Sequence, residues 1–121
     1  MKLDPDVRAA LEGRARHRLA SGVEVVDIYG SVGRGFMMAL DGRLFEWNWD
    51  TDEHEITEAV QLRLALVAGS RAIPSLKRLI PQRPANAVDC AKCRGSGEAS
   101  LNEEIKWLCN TCGGVGWTEA P

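Results

Sequence analysis

The four cysteines of the chain fall in two copies of one pattern, Cys-x-x-Cys-x-Gly-x-Gly, over residues 90–97 and 109–116. Two residues between paired cysteines let the backbone turn so that both sulfur atoms reach one ion, at about 2.3 Å each. Two such pairs separated by fifteen residues are typical of a tetrahedral Zn²⁺ site. The sequence therefore predicts one structural zinc ion per chain. Its predicted ligands are Cys90, Cys93, Cys109 and Cys112.

The shared pattern places two glycines after each cysteine pair, and they suit the same chemistry. They let the backbone adopt positive φ angles and leave the zinc knuckle without a clashing Cβ atom. Amides in such a turn donate hydrogen bonds to the thiolates and orient them toward the metal. The predicted knuckle glycines are Gly95, Gly97, Gly114 and Gly116.

Two other uses of paired cysteines are open to a chain of this kind. Structural disulfides are disfavoured, because the N-terminus lacks the apolar segment of a secretory signal. A thiol–disulfide oxidoreductase that uses one Cys-x-x-Cys pair is the third interpretation of the function. Such a redox motif normally begins a helix in a βαβ unit, whereas glycine follows both pairs here.

The two motifs resemble half of the cysteine-rich domain of DnaJ-type chaperones, which carries four Cys-x-x-Cys-x-Gly-x-Gly repeats and binds two zinc ions. The resemblance covers residues 88–118, about a quarter of the chain, and all eight cysteine and glycine positions match. The chain has no His-Pro-Asp tripeptide and no J-domain, so stimulation of a chaperone ATPase is not implied. Shortened two-repeat versions act as small protein-binding modules. The resemblance thus implies protein contact rather than catalysis.

The segment before the cysteines begins with a predicted helix and continues with strands. Asp4 and Pro5 are typical of an N-cap and a first helical position. Apolar residues then recur at helical spacing as far as Leu19, and Gly22 follows the helix. Residues 23–29 are β-branched and aromatic, which predicts a strand.

Asp41 and Gly42 predict a tight hairpin with a two-residue turn. This register gathers large apolar groups on one sheet face, continued by Trp49, and the aromatic stripe is interpreted as core beneath helices. In particular, the Trp47 ring is expected between sheet and helices. The predicted pairs are Leu40 with Arg43, Met38 with Phe45, and Phe36 with Trp47.

Two helical segments follow the strands. Residues 53–69 combine apolar spacing with an acidic first turn, and Pro74 begins a shorter segment that Pro81 ends. The predicted class is α+β: an N-terminal helix, a roughly three-stranded antiparallel meander, covering helices, and a small zinc-knuckle β-hairpin module. The predicted divisions are an α+β domain at 1–81, a linker at 82–87 and a DnaJ-like single-zinc module at 88–121.

Composition and net charge disfavour several classes of function. The chain has 121 residues, of which 45% are hydrophobic and 26% are charged, as in ordinary globular proteins. A net charge of −2 argues against a globally basic nucleic-acid binder. No apolar stretch approaches the roughly 18 residues of a membrane span. We expect a cytoplasmic protein with no membrane partner and no enzymatic activity, since catalytic motifs are absent and His17 and His54 stand isolated.

Charge is unevenly distributed along the chain. Residues 41–58 carry seven carboxylates against one arginine, while residues 71–94 carry six basic groups against one aspartate. We expect the two segments to dock on each other within the molecule. The alternative is that the basic segment makes this a zinc-ribbon nucleic-acid-binding protein. The leading interpretation is a non-catalytic zinc protein that contacts a protein partner of unknown identity. Its possible partner-binding residues are Trp107, Trp117, Lys92 and Arg94. The two tryptophans flank the second knuckle, and a small core of that knuckle is the equally weighted alternative for them.

Overall fold

The computed structural model describes residues 3–31, 33–98 and 108–119. The N-terminal elements are helix α1 (Pro5–Glu12) and strands β1 (Arg16–Arg18), β2 (Glu24–Ser31), β3 (Arg34–Ala39), β4 (Leu44–Asn48) and β5 (Thr51–Glu55). The remaining elements are helix α2 (Ala59–Gly69), a 3-10 helix (Pro74–Leu79) and strands β6 (Val88–Asp89) and β7 (Trp117–Thr118). Among the described residues, no helix has the length and apolar character needed to cross a membrane.

Strands β1 to β5 form one antiparallel sheet in chain order, and β6 pairs with β7 in a separate ribbon. The α+β class is confirmed, but the meander has five strands where about three were predicted. The two additional strands, β1 and β5, form its edges. Their exposed and strongly charged sequences lack the apolar alternation by which strands are recognised.

Both predicted long helices are shorter in the structure because strands occupy part of each segment. Helix α1 ends at Glu12, and the segment predicted to continue it to Leu19 contains β1 instead. Helix α2 begins at Ala59 rather than at residue 53, because the acidic residues predicted for its first turn belong to β5. In both segments, pairing with a neighbouring strand outweighs local helix propensity.

The hairpin between β3 and β4 has a three-residue loop, so the predicted register is wrong by one residue. The Ala39 N–H donates to the Arg43 carbonyl at 2.9 Å, and the Gly42 N–H donates to the Ala39 carbonyl at 3.0 Å. Gly42 has φ +96°, the conformation that glycine supplies in such loops. The observed pairs are Met38 with Leu44, Met37 with Phe45, Phe36 with Glu46, and Gly35 with Trp47.

The shifted register divides the aromatic residues between the two sheet faces. Phe36 is fully buried in the large core between the sheet and the helices, together with Leu64 of α2. Phe45 and Trp47 lie on the other face in a second apolar cluster. The prediction that Trp47 lies between sheet and helices is therefore wrong. Trp49 is 77% exposed and belongs to neither cluster.

A buried polar group interrupts the helix-covered face. Arg34 and Glu46 form an ion pair in which both side chains are more than nine-tenths buried. Arg34 also donates to Gln61 Oε1 at 2.9 Å, while His54 Nε2 lies 3.4 Å from the other Glu46 oxygen. Buried charges are tolerated when each has partners, as here. His54 is consequently not the isolated residue that its sequence context indicates.

We predict that Phe36→Ala lowers the free energy of unfolding by about 3–5 kcal/mol, because it leaves a cavity in the large core. Trp49→Ala is the control, an aromatic truncation at an exposed position, and we expect a change of about 0.5 kcal/mol. Urea denaturation of the two variants measures both effects. Equal losses would contradict the observed division between core and surface.

Candidate metal centre

The two cysteine pairs converge on one point in the structure. The Sγ atoms of Cys90 and Cys109 are 3.8 Å apart, and those of Cys93 and Cys112 are 3.7 Å apart. All four Sγ atoms lie within 4.8 Å of one another. A disulfide needs about 2.05 Å between sulfur atoms, whereas a tetrahedron with bonds of about 2.3 Å has edges of about 3.8 Å. The cluster could therefore hold a metal ion.

The two knuckles are related by reciprocal backbone hydrogen bonds. The Cys90 N–H donates to the Gly116 carbonyl, and the Cys109 N–H donates to the Gly97 carbonyl, both at 2.9 Å. The first cysteine of each motif is thus fixed by the last glycine of the other motif. This exchange brings the two pairs together without a large apolar core around them.

The last glycine of each motif is needed because the two backbones pass close together. A Cβ atom on Gly97 would lie 2.5 Å from the Gly114 carbonyl oxygen, and one on Gly116 would lie 2.5 Å from the Gly95 carbonyl oxygen. Both positions also have positive φ angles. Any side chain at either position would separate the knuckles, so the pattern of glycines follows from the convergence of the sulfurs.

The same glycines donate N–H groups to sulfur. The Gly97 N–H reaches Cys93 Sγ, and the Gly116 N–H reaches Cys112 Sγ, both at 3.3 Å. Such donors stabilise thiolates and orient them toward a metal. They are the amide donors that the sequence predicts for a zinc knuckle.

Burial and these N–H donors compete in setting thiol acidity. Burial raises the pKa of the Cys112 thiol to about 12, although N–H groups from Gly116 and Gly114 act to lower it. At Cys93, burial also raises the pKa, but the Gly97 N–H and the neighbouring thiols outweigh it and bring the pKa to about 7. A metal ion requires thiolate ligands, so its binding releases protons and weakens as the pH falls.

The second knuckle packs directly against helix α2. A Cβ atom on Gly113 would lie 2.6 Å from the Val60 carbonyl oxygen and 2.9 Å from Arg63 Cβ. Leu108, just before this knuckle, is 3% exposed and belongs to the large core of the sheet and helices. The four-cysteine cluster is therefore attached to the rest of the protein through its second motif.

Arg63 of α2 completes this attachment. Its guanidinium lies 4.6 Å from the centre of the Trp117 ring and donates from Nη2 to Glu119 Oε1 at 2.9 Å. Trp117 is 5% exposed, so it packs inside the molecule rather than offering a binding surface. The sequence does not identify Arg63 as a functional residue. The available signal was one charged residue in a helix whose only other polar side chain is Gln61.

The position between the second cysteine and the first glycine differs between the motifs. It is Arg94 in the first knuckle and Gly113 in the second, and both have left-handed backbones, with φ of 56° and 75°. Gly113 faces α2, where a side chain has no room, whereas Arg94 is exposed. The repeat thus keeps one backbone shape while its two copies meet different surroundings.

The other residues proposed for partner binding have different positions. Lys92 and Arg94 are exposed on the first knuckle. The contact with α2 is made by Gly113 of the second knuckle. Trp107 lies outside the described residues. Cys90, Cys109 and Cys112 are buried, and Cys93 is partly exposed.

The basic segment was expected to dock on residues 41–58, but two of its arginines pair with other carboxylates. Arg78 pairs with Asp4 and Asp6 near the start of α1. Arg83 pairs with Asp89 at 2.8 Å, within the basic segment itself. Both arginines are therefore paired with carboxylates that lie outside residues 41–58.

No protein-family model, curated protein or solved structure matches this chain.

We predict opposite responses at the two equivalent positions. Gly113→Ala should destabilise the protein by more than about 2 kcal/mol, because the new Cβ adds a clash with α2 to a strained backbone. Arg94→Gly should be neutral or stabilising by up to about 1 kcal/mol, because glycine relieves a left-handed conformation at an exposed site. Urea unfolding of the metal-loaded variants measures both. Equal destabilisation would contradict the asymmetric packing.

Proposed function

We propose that the four cysteines hold one structural zinc ion and that the protein acts as a non-catalytic cytoplasmic adaptor. The observation that carries the proposal is the Sγ cluster, with separations of 3.7 and 3.8 Å across the two motifs. These values fit the edge of a tetrahedron of zinc–sulfur bonds. When bound, zinc would fasten the two knuckles to each other through their thiolates.

The ligand set favours a structural role over a catalytic one. Four protein ligands fill a tetrahedral ion, whereas catalytic zinc sites keep one position for water or substrate. Three of the four cysteines are buried, which also restricts access by a disulfide substrate. The oxidoreductase interpretation therefore has less support than the zinc interpretation.

We predict one zinc ion per chain in freshly purified, reduced protein, measured by elemental analysis. Cys109→Ser should abolish stoichiometric zinc, because it removes a ligand and leaves only three thiolates. Thr111→Ser is the matched control, since it alters an exposed residue of the same turn and leaves every sulfur in place. Substoichiometric zinc in the wild-type protein, or full zinc in Cys109→Ser, would contradict the proposal.

The same variant reports on the coupling between the metal and the fold. The sequence alone predicts that loss of zinc unfolds residues 88–118 and leaves the first domain folded. Because Leu108 is buried in the large core, its release should also lower the free energy of unfolding of the sheet and helices by about 1.5–3 kcal/mol. Hydrogen exchange of the α2 amides should therefore become faster in Cys109→Ser and remain unchanged in Thr111→Ser.

The adaptor role rests on the arrangement of the two knuckles. The second knuckle is occupied by its contact with α2, whereas the first carries the exposed cations Lys92 and Arg94. The resemblance to half of the DnaJ-type cysteine-rich domain favours protein contact at such a surface. We infer an acidic segment of a protein as the partner, because it would complement these two cations.

Nucleic-acid binding is the alternative use of the same cations. It requires a row of basic groups that can contact phosphates. Arg78 and Arg83 of the basic segment are paired with carboxylates in the structure. This pairing weakens their electrostatic attraction for phosphate groups. A protein partner therefore remains the favoured interpretation.

We predict that an affinity pull-down from native cells recovers a protein whose capture persists after nuclease treatment. Reversal of the knuckle charges in Lys92→Glu/Arg94→Glu should abolish the capture, because it opposes an acidic surface. The control is Arg14→Glu/Arg16→Glu, which reverses two exposed charges away from the knuckles. Capture that disappears with nuclease would instead favour the nucleic-acid interpretation, and capture unaffected by the knuckle reversal would exclude this surface.

A further inference from the structure

A cavity of about 290 Å³ lies between the sheet, helix α2 and the segment that leaves the 3-10 helix. Its walls are mainly apolar and come from all three parts of the fold. The lining includes Met38 and Leu44 from the sheet, Leu62 and Leu66 from α2, and Leu79 and Pro81 from the last segment.

The cavity opens to the surface beside the exposed Ala59 and is large enough to hold a small molecule. A cavity of roughly 150 Å³ lined by aliphatic residues accommodates one benzene ring. The present cavity has about twice that volume, which suits an apolar body of about eight to ten carbon atoms. Its apolar lining matches the usual composition of small-molecule sites.

One buried cation stands in this apolar wall. Arg63 lines the cavity and is only 7% exposed, and its Nε–H has no hydrogen-bond acceptor among the described residues. Its Nη2 is bonded to Glu119, whose side chain is 69% exposed at the surface. A buried guanidinium normally has its donors satisfied, so Arg63 has one donor left for an acceptor, and the side chain must turn slightly to present it because Nε is itself buried.

We propose that this cavity binds a small apolar carboxylic acid, with its hydrocarbon body between the sheet and α2 and its carboxylate on Arg63. The hydrocarbon replaces water along the apolar wall, and the carboxylate forms the charge-assisted bond that guanidinium groups favour. This site uses none of the four cysteines and does not depend on the proposed adaptor role, although Arg63 also contacts Trp117 beside the second knuckle.

Glu119 is the internal competitor in this arrangement. Its carboxylate already occupies one donor of Arg63, so an entering acid either shares the guanidinium with Glu119 or displaces it. Removal of the Glu119 charge should strengthen binding of an acid and leave an uncharged ligand unaffected. A different response of the two ligands would distinguish binding of the carboxylate to Arg63 from non-specific partition of a hydrocarbon into the cavity.

The test is calorimetric titration of the full chain, loaded with zinc, with octanoate and with 1-octanol. We expect saturable binding of octanoate, at least tenfold tighter than that of octanol. Glu119→Gln should tighten octanoate binding by a factor of three or more without changing octanol binding. Arg63→Gln should remove the preference for the acid while octanol still binds.

Ala59→Phe tests the location of the site. Ala59 lines the cavity yet is exposed, so it lies at the entrance, and a phenyl ring there should block both ligands. Ala9→Phe is the matched control, an exposed alanine on α1, and it should bind both ligands as the wild type does. Since Arg63 also contacts Trp117, Glu119→Gln keeps the anchor testable if Arg63→Gln fails to fold.

Three results would overturn the proposal. The first is no saturable binding of octanoate to the wild-type protein at millimolar concentration. The second is equal affinity for octanoate and octanol, which would remove Arg63 as the anchor. The third is unchanged octanoate binding in Ala59→Phe, which would place the ligand elsewhere.

Discussion

The close approach of Gly113 to the backbone of helix α2 determines how the cysteine-rich segment joins the rest of the protein. A glycine with a positive φ angle allows the turn to contact the Val60 carbonyl directly. This contact brings Leu108 into the large core and sets Trp117 beneath Arg63. The cysteine-rich segment has little core of its own and thereby acquires stability from a neighbouring helix.

The internal repeat explains both the similarity and the difference of the two knuckles. Reciprocal hydrogen bonds require the first cysteine and last glycine of each motif to be equivalent. The position between the second cysteine and the first glycine takes no part in these hydrogen bonds, so its residue type depends on what surrounds each knuckle. Where the turn meets α2 it is Gly113, and where the turn meets solvent it is Arg94. One motif consequently supports the fold while the other leaves charged side chains accessible.

The convergence of the cysteines could be predicted from the sequence because it depends on local geometry. The spacing of each pair and the glycines that follow fix the turn, and two such turns with sulfur atoms at one end need a common centre. The contact of Gly113 with α2 could not be predicted, because it depends on which surface lies beside the knuckle. The same holds for Arg63, whose role comes from two distant residues, Trp117 and Glu119.

The α+β class was also predictable, whereas the hairpin register was not. Asp41 and Gly42 identify the turn, but they are compatible with loops of two or three residues. The extra residue moves Phe36 and Phe45 to opposite faces, because side chains alternate along a strand. Strands β1 and β5 were not predicted, because edge strands with charged side chains lack the apolar face by which strands are recognised.

The placement of charge on the two edge strands has a consequence for self-association. The strand richest in β-branched and aromatic residues, β2, is an interior strand that pairs with a neighbour on each side. The outer strands are Arg-His-Arg in β1 and the acidic β5, and an approaching copy meets repulsion when like edges face each other. The loop after β1 also donates from the Ala20 N–H to Glu53 of β5, which draws the two ends of the curled sheet together. Two copies that approach through like edges are therefore hindered from extending each other's sheet.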